Sequence, residues 1–443
     1  MPDAATAAVL AIGDELILGE KLDTNSAWLA ARLGELGARV LEHRTLPDDA
    51  TAIAGTIAEL AAEHDVVVCG GGLGPTLDDC TREAMRQAIE VLTGAPETLV
   101  EDPDSLEAIR QWMRDRGSDL MDANRVQALR PTKADALHND FGTAPGMLVD
   151  LEVAAGRRVL ASLPGPPREM QPMFEQEVAP RVAGLGDAPP GQLRVVQVFG
   201  LGESPLAAAI EPLMVRSNNP AVGTTASDGL VTCRIRSEGG RGLAGPYDAA
   251  TIDEAMEEAA SRIERAAPGH VVGRHNRPLA ASLLAELSER GATLATAESC
   301  TGGMIGAALT AIPGSSAAYA GGWNTYSNAM KRSQLGVPEA MLDEHGAVSE
   351  AVARAMASGA RRAAEADLAV SVTGVAGPDG GTSEKPVGTV WIGVAHGDDA
   401  TEARRFRFGG GREDVRRRST QAALFLALAA CRGERPPTLL GQA

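Results

Sequence analysis

A chain of 443 residues, 44% hydrophobic and 23% charged, exceeds what one ordinary core holds and predicts a globular protein of two or three domains. No apolar run reaches the roughly 18 residues of a transmembrane helix, so no membrane partner is expected. A formal net charge of −18 argues against broad nucleic-acid binding, because phosphate neutralisation needs clustered Lys and Arg; only a local basic face stays open. The five cysteines (Cys69, Cys80, Cys233, Cys300, Cys431) form no C-x-x-C pair and suggest neither a disulfide scaffold nor a zinc site. Met1 to Thr6 lacks the basic start and apolar core of a signal peptide, which places the protein in the cytoplasm.

The apolar run 7–12 predicts a buried strand that ends in Gly13-Asp14-Glu15, with two adjacent carboxylates at its C-terminal end. Thr24-Asn25-Ser26 offers caps for an amphipathic helix over Ala27 to Leu36, closed by Gly37. A strand near Arg39 to Arg44, a helix from Ala50 to Glu63 and a strand from Asp65 to Cys69 follow. Such alternation means βαβ units and a mainly parallel sheet, an α/β fold.

That third strand runs into Gly70-Gly71-Gly72-Leu73-Gly74-Pro75-Thr76-Leu77-Asp78-Asp79, and a helix begins near Cys80. Glycines allow close backbone approach, and a helix N-terminus favours an anion, so the expected guest is a phosphate. The loop has neither the Gly-Lys-Ser/Thr of a P-loop nor the dinucleotide G-x-G-x-x-G spacing. Gly71, Gly72, Gly74, Thr76 and Asn25 are the candidate substrate contacts. Asp78 and Asp79, with Asp14 and Glu15, are candidate ligands for a hard divalent metal such as Mg²⁺ that would bridge two phosphates; the rival reading makes one aspartate a helix cap.

After a strand over 157–163, Pro164-Gly165-Pro166-Pro167-Arg168 turns into a helix reaching about Val182. The Gly- and Pro-rich stretch 184–191 marks a boundary. Residues 193–267 read as strand, helix, strand, helix, with Arg234 and Arg236 on the second strand.

A helix over Leu279 to Glu289 opens the last region. The run 292–297 then feeds Glu298-Ser299-Cys300-Thr301-Gly302-Gly303 and a small-residue helix over Met304 to Thr310. Ser299 therefore sits at a strand-to-helix corner, where backbone N–H groups favour an anion or a developing oxyanion. A serine nucleophile needs a base. His345, the only histidine between 292 and 373, lies in a helix-ending turn, so Lys331 is the better candidate if burial lowers its pKa, with Tyr326 placed to relay or position a proton. The rival readings are a capping Ser299, a solvated Lys331 and a small buried Cys300. A strand over 368–372 enters a second glycine-rich loop, Thr373-Gly374-Val375-Ala376-Gly377-Pro378-Asp379-Gly380-Gly381, where parallel sheets place their ligands. Two further strands and a helix over Glu413 to Cys431 complete the pattern.

With these motifs assembled, the segment from Pro278 to Cys431 resembles the nicotinamide-nucleotide amidohydrolase domain of the CinA (competence/damage-inducible protein A) family. Gly13-Asp14-Glu15, the Gly70–Asp79 loop, Asn124-Arg125-Val126-Gln127-Ala128 and Gly142-Thr143-Ala144-Pro145-Gly146 resemble its molybdopterin-binding-like N-terminal domain. The resemblance covers the whole chain and implies domains at 1–183, 184–273 (small, KH-like) and 274–443. For the first it implies metal-dependent ADP-ribose pyrophosphatase activity; molybdopterin itself follows less directly, since a fold does not fix its ligand. In the second, Gly239-Gly240-Arg241-Gly242 joins a strand to a helix rather than two helices, so a spacer or dimer contact is simpler than RNA binding.

For the third domain the resemblance implies hydrolysis of nicotinamide mononucleotide to nicotinate mononucleotide and ammonia, without a cofactor. The family's functional positions match Ser299, Ser316, Tyr326, Lys331, Thr373 and Arg412. Ser316 is the expected nucleophile with Lys331 as base, and Ser299 a proton relay or part of the oxyanion or phosphate cradle; the reverse assignment of the serines stays open. Gly302, Gly303 and Gly374 to Gly377 would shape the pocket, and Arg412 would bind the nucleotide phosphate. Gly411 stands where members often carry an acidic residue, which makes Arg416 a rival to Arg412. The dull rivals are a Ser316 that starts a strand near Ala318, a half-buried packing Tyr326 and a loop-capping Thr373. A homodimer is expected, and the alternative function is a nucleotide- or partner-binding protein in competence or DNA repair.

Overall fold

The computed structural model describes residues 5–154, 156–185, 191–397 and 400–443. Most of the expected boundary at 184–191 lies outside the described residues. The chain divides into two compact units, Met1–Leu193 with Ser237–Gly242, and Arg194–Arg236 with Leu243–Ala443. Among the described residues no helix is long and apolar enough to cross a membrane.

The first unit is built on a six-stranded sheet in the order Arg39–Leu46, Thr6–Ile12, Val66–Gly70, Gly156–Leu163, Gly146–Val153, Asp135–Leu137. The first four strands are parallel and the last two antiparallel. Thr6–Ile12 and Val66–Gly70 are buried on both faces, which is why they read as unbroken apolar runs. Successive residues serve opposite cores: Leu10 and Val67 pack with Ile53 and Met85, whereas Val9 and Val68 pack with Leu33 and Phe174.

After a single helical turn at Asp14–Ile17, a longer helix spans Thr24–Glu35 and begins three residues earlier than expected. Asp23, not the Thr24-Asn25-Ser26 segment, caps it by accepting the Ser26 N–H at 2.9 Å. The freed Asn25 side chain donates instead to the Gly165 carbonyl at 2.6 Å and ties down the Pro-rich turn.

In the second unit a four-stranded sheet runs Ala221–Ser227, Leu230–Arg236, Leu193–Phe199, Val271–Gly273, backed by helices Glu203–Ala209 and Ile252–Ala266. The expected strand–helix–strand–helix pattern omits the edge strand Ala221–Ser227, whose small and hydroxylated residues carry little apolar signal. It pairs with Leu230–Arg236 through a hairpin closed at Asp228-Gly229, both with positive φ.

A five-stranded sheet follows in the order Tyr319–Asn324, Leu294–Glu298, Leu368–Gly374, Thr389–His396, Ala400–Arg407. Its first three strands are parallel and its last two antiparallel. The helix Arg412–Arg432 lies across one face beside Leu279–Arg290, burying Ala422, Phe425 and Leu428 in a core shared with Phe199 and Val272 of the smaller sheet.

Candidate active sites

The strand Leu294–Glu298 ends where the chain must turn into the helix Met304–Thr310. Glu298, only 2% exposed, turns its carboxylate under that helix and accepts N–H bonds from Gly303 (3.1 Å), Ile305 (3.0 Å) and Gly306 (2.8 Å). A buried carboxylate satisfied by helix N-terminal amides is the cap of this corner. Ser299 therefore does not cap; its backbone N–H bonds Val372 O at 3.0 Å and its hydroxyl is left for other work.

That hydroxyl meets Lys331. The lysine is 1% exposed, and its Nζ donates to Ser299 Oγ at 3.0 Å, Thr325 O at 2.8 Å and Tyr326 O at 3.3 Å. Each partner is neutral, and burial lowers the pKa of the amine below the ordinary lysine value. The solvated reading of Lys331 is thus overturned. Cys300 is 5% exposed and burial pushes its thiol up to about 12, so it is no thiolate nucleophile near neutral pH. The Thr301 and Thr325 hydroxyls beside the pair are buried without a partner.

Two loops and one helix close around this pair. Arg412, the first residue of its helix, donates to Gly377 O at 2.7 Å and to the Tyr326 hydroxyl at 3.0 Å. Arg416, one turn on, donates to Thr301 O at 2.9 Å. Tyr326 is 60% exposed, which overturns the packing reading.

In the first unit a cavity of about 870 Å³ opens over the glycine loop, with Glu15, Asp48, Gly72, Asp78 and Arg168 among its lining. Gly71 (φ 110°) and Gly72 (φ 66°) are required there: a Cβ would lie 2.3 Å from Ile12 O in the first and 2.2 Å from Thr81 Oγ1 in the second. Beneath the loop the buried Arg82 donates to Leu73 O and, at 3.1 Å, to Gly74 O, and burial lowers its pKa to about 10. Its positive charge lies under the loop expected to take a phosphate.

Three family models match the chain: a probable molybdopterin binding domain over residues 8–184, a damage-inducible protein CinA KH domain over 193–273 and a CinA C-terminal domain over 276–431. A putative competence-damage inducible protein of Symbiobacterium thermophilum is 41% identical over 391 residues, covering 88% of each chain. The chain belongs to the CinA family. A CinA-like protein of Citrifermentans bemidjiense is 40% identical over 92% of this chain and 93% of its own. The crystal structure of the competence/damage inducible protein CihA from Agrobacterium tumefaciens is 42% identical, covering 35% of this chain and 93% of that one with a TM-score of 0.34.

Within the CinA C-terminal domain the geometry corrects the expected Ser316–Lys331 pair. Ser316 is exposed on the single turn Ser315–Ala317 that leads into the strand from Tyr319, and the serine bonded to Lys331 Nζ is Ser299. Thr373, 1% exposed, uses its hydroxyl to hold Ala347 O at 2.8 Å, as its loop-capping reading proposes. Gly374 is needed for packing, since a Cβ would lie 2.8 Å from Thr389 O. Gly302 is exposed, and a Cβ on it would lie 3.4 Å from Arg416 Nη2; Gly303 (φ 95°) begins the helix. Arg412 and Arg416 each hold a loop of their own.

Of the four carboxylates expected to hold a divalent metal, Glu15, Asp78 and Asp79 line the cavity together with Asp48, and Asp14 bonds the Asp48 backbone beside them. Asp14 is exposed, and its Oδ1 accepts the Asp48 N–H at 3.4 Å. Glu15 pairs with Lys21 at 3.2 Å. Asp79 accepts from Gly74 N at 2.7 Å and Thr76 N at 2.8 Å, so it braces the loop and occupies Thr76, while Asp78 is exposed. Among the described residues no three Asp, Glu, His or Cys side chains come together as a metal ion requires. Residues the sequence reading missed are Glu298, Arg82 and Asp48. Burial raises the Asp48 pKa. Its signal was position, an acid just past the C-terminal end of the strand Arg39–Leu46.

Proposed function

We propose that the C-terminal part of this CinA protein hydrolyses the carboxamide of nicotinamide mononucleotide to nicotinate mononucleotide and ammonia, with Ser299 as nucleophile and Lys331 as base. The observation that carries this reading is the 3.0 Å contact between Ser299 Oγ and a buried lysine amine that has no carboxylate partner among the described residues. A neutral Lys331 takes the hydroxyl proton as Oγ attacks the carboxamide carbon. It then gives that proton to the departing nitrogen, so that ammonia leaves and an acyl-serine remains. Water, deprotonated by the same amine, cleaves the ester. Arg412 and the Tyr326 hydroxyl it contacts suit the phosphate and ribose of the substrate.

The test is release of ammonia and nicotinate mononucleotide by the wild type without added metal. Turnover is expected, and Ser316→Ala is expected to keep it. A wild type without turnover sinks the reading and moves the weight to a binding role in competence or DNA repair.

A second reading is favoured by the cavity over the glycine loop and the buried Arg82 below it: the first unit binds a nucleoside diphosphate such as ADP-ribose. Pyrophosphate cleavage there, as the resemblance implies, remains part of this proposal, with Glu15, Asp48 and Asp78 in the lining of the same cavity and no step derived through a metal. Gly72→Val is expected to weaken ADP-ribose binding at least tenfold in calorimetry, because the new side chain collides with Thr81. Unchanged affinity would place the ligand elsewhere.

A further inference from the structure

The helix Arg412–Arg432 serves the amidohydrolase site at one end and the smaller sheet on its flank. Its first two turns carry four arginines, of which Arg418 donates back to Gly409 O at 3.0 Å and the other three have separate tasks. Arg412 reaches Gly377 O and Tyr326, and Arg416 reaches Thr301 O. Arg417 turns the other way: its Nε donates to Asp228 Oδ2 at 2.6 Å and its Nη2 to Asp414 Oδ1 at 2.9 Å. The second oxygen of Asp414 accepts the Gly411 N–H at 3.0 Å, which closes the start of the same helix.

Asp228 belongs to the smaller sheet. It stands at the tip of the hairpin Ala221–Ser227/Leu230–Arg236 with φ 51°, followed by Gly229 at φ 85°. This tip is held on its own side, since Gly200 N donates to Gly229 O at 2.9 Å. It is held on the other side too: Leu440 N donates to Gly200 O at 2.7 Å, and the rings of Phe199 and Phe425 lie 4.9 Å apart. The hairpin tip is therefore a fixed point against which the helix start is set. Asp228 is 19% exposed and Arg417 40% exposed in their side chains. A partly solvated pair of this kind adds little stability by itself, so its consequence is one of position.

We propose that Asp228 is a positioning residue of the amidohydrolase site. Through Arg417 and Asp414 it sets the first turns of the helix, and so the reach of Arg412 and Arg416 to the two loops that frame Ser299 and Lys331. The smaller sheet is then part of the apparatus that receives the substrate rather than a spacer. The kinetic consequence rests on the amidohydrolase reading; the structural one does not.

Asp228→Asn in the full chain removes the charge while asparagine keeps the left-handed turn. Hydrogen exchange of the backbone amides at 411–416 is expected to accelerate, with the melting temperature nearly unchanged. KM for nicotinamide mononucleotide is expected to rise about fivefold, roughly 1 kcal/mol, while kcat changes little. Arg417→Gln should reproduce both changes, and the double variant should be no worse than either single one. Unchanged exchange at 411–416 overturns the proposal whether or not the enzyme turns over. Unchanged KM in an active enzyme also overturns it. An inactive wild type refutes the amidohydrolase reading alone, and the exchange result still decides the positioning.

Discussion

Under the proposed mechanism Lys331→Met is expected to lose about 10²–10⁴-fold in kcat for nicotinamide mononucleotide hydrolysis, the usual worth of a positioned general base. Ser299→Ala is at least as damaging, because no other hydroxyl among the described residues contacts the amine. Methionine matches the length of the lysine stem and fills the same buried volume, so a loss of turnover reports chemistry rather than a cavity. Steady-state rates of ammonia release check it, and a variant within tenfold of the wild type would remove Lys331 from the mechanism. The proposed mechanism uses the free amine, so kcat/KM of the wild type is expected to rise with pH through the lowered lysine pKa.

The same shift has a sign for stability. Burial depresses the folded-state pKa of Lys331 below its ordinary 10.5. The unfolded chain then binds more protons between those two values, and this group's contribution to stability rises with pH across that window. Lys331→Met lacks the group. The melting temperature of the wild type relative to the variant is therefore expected to be lowest near neutral pH and to improve as pH approaches the ordinary lysine value. A constant difference would mean the amine is not depressed.

Glu298→Ala is expected to cost about 2–4 kcal/mol, since it strands three buried or half-buried N–H groups that now share one carboxylate. Glu298→Gln restores part of this, because an amide accepts through one oxygen and its NH₂ opposes a donor. Urea unfolding checks the order wild type, glutamine, alanine. Both variants should also lose turnover, because Ser299 is the next residue along the chain. Equal stability of wild type and Glu298→Ala would mean the corner is held by packing alone.

Parts of this were legible before any fold was known. Residues 7–12 and 292–297 read as strands because both faces of each are buried. The loops after Cys69 and Val372 read as ligand loops because glycine runs follow strand ends. Other parts were hidden. Lys331 lies in a helix whose neighbours Met330 and Arg332 are exposed, and nothing in Asn328–Leu335 marks it as the residue that turns inward. Which serine it meets was equally hidden: Ser316 is nearer along the chain, yet Ser299 is delivered by the adjacent parallel strand, whose end lies beside Asn324 at the root of the lysine helix.

The sequence by itself determined the alternation of strands and helices, the two glycine loops and the membership in the CinA family, because these depend on local periodicity and on residues with restricted backbone choices. Only the tertiary structure decided that Glu298 caps the corner, that Asp79 braces the glycine loop, and that Ser299 faces a buried amine. Those outcomes depend on which side chains lose water together, and that is a property of packing between segments far apart in the chain.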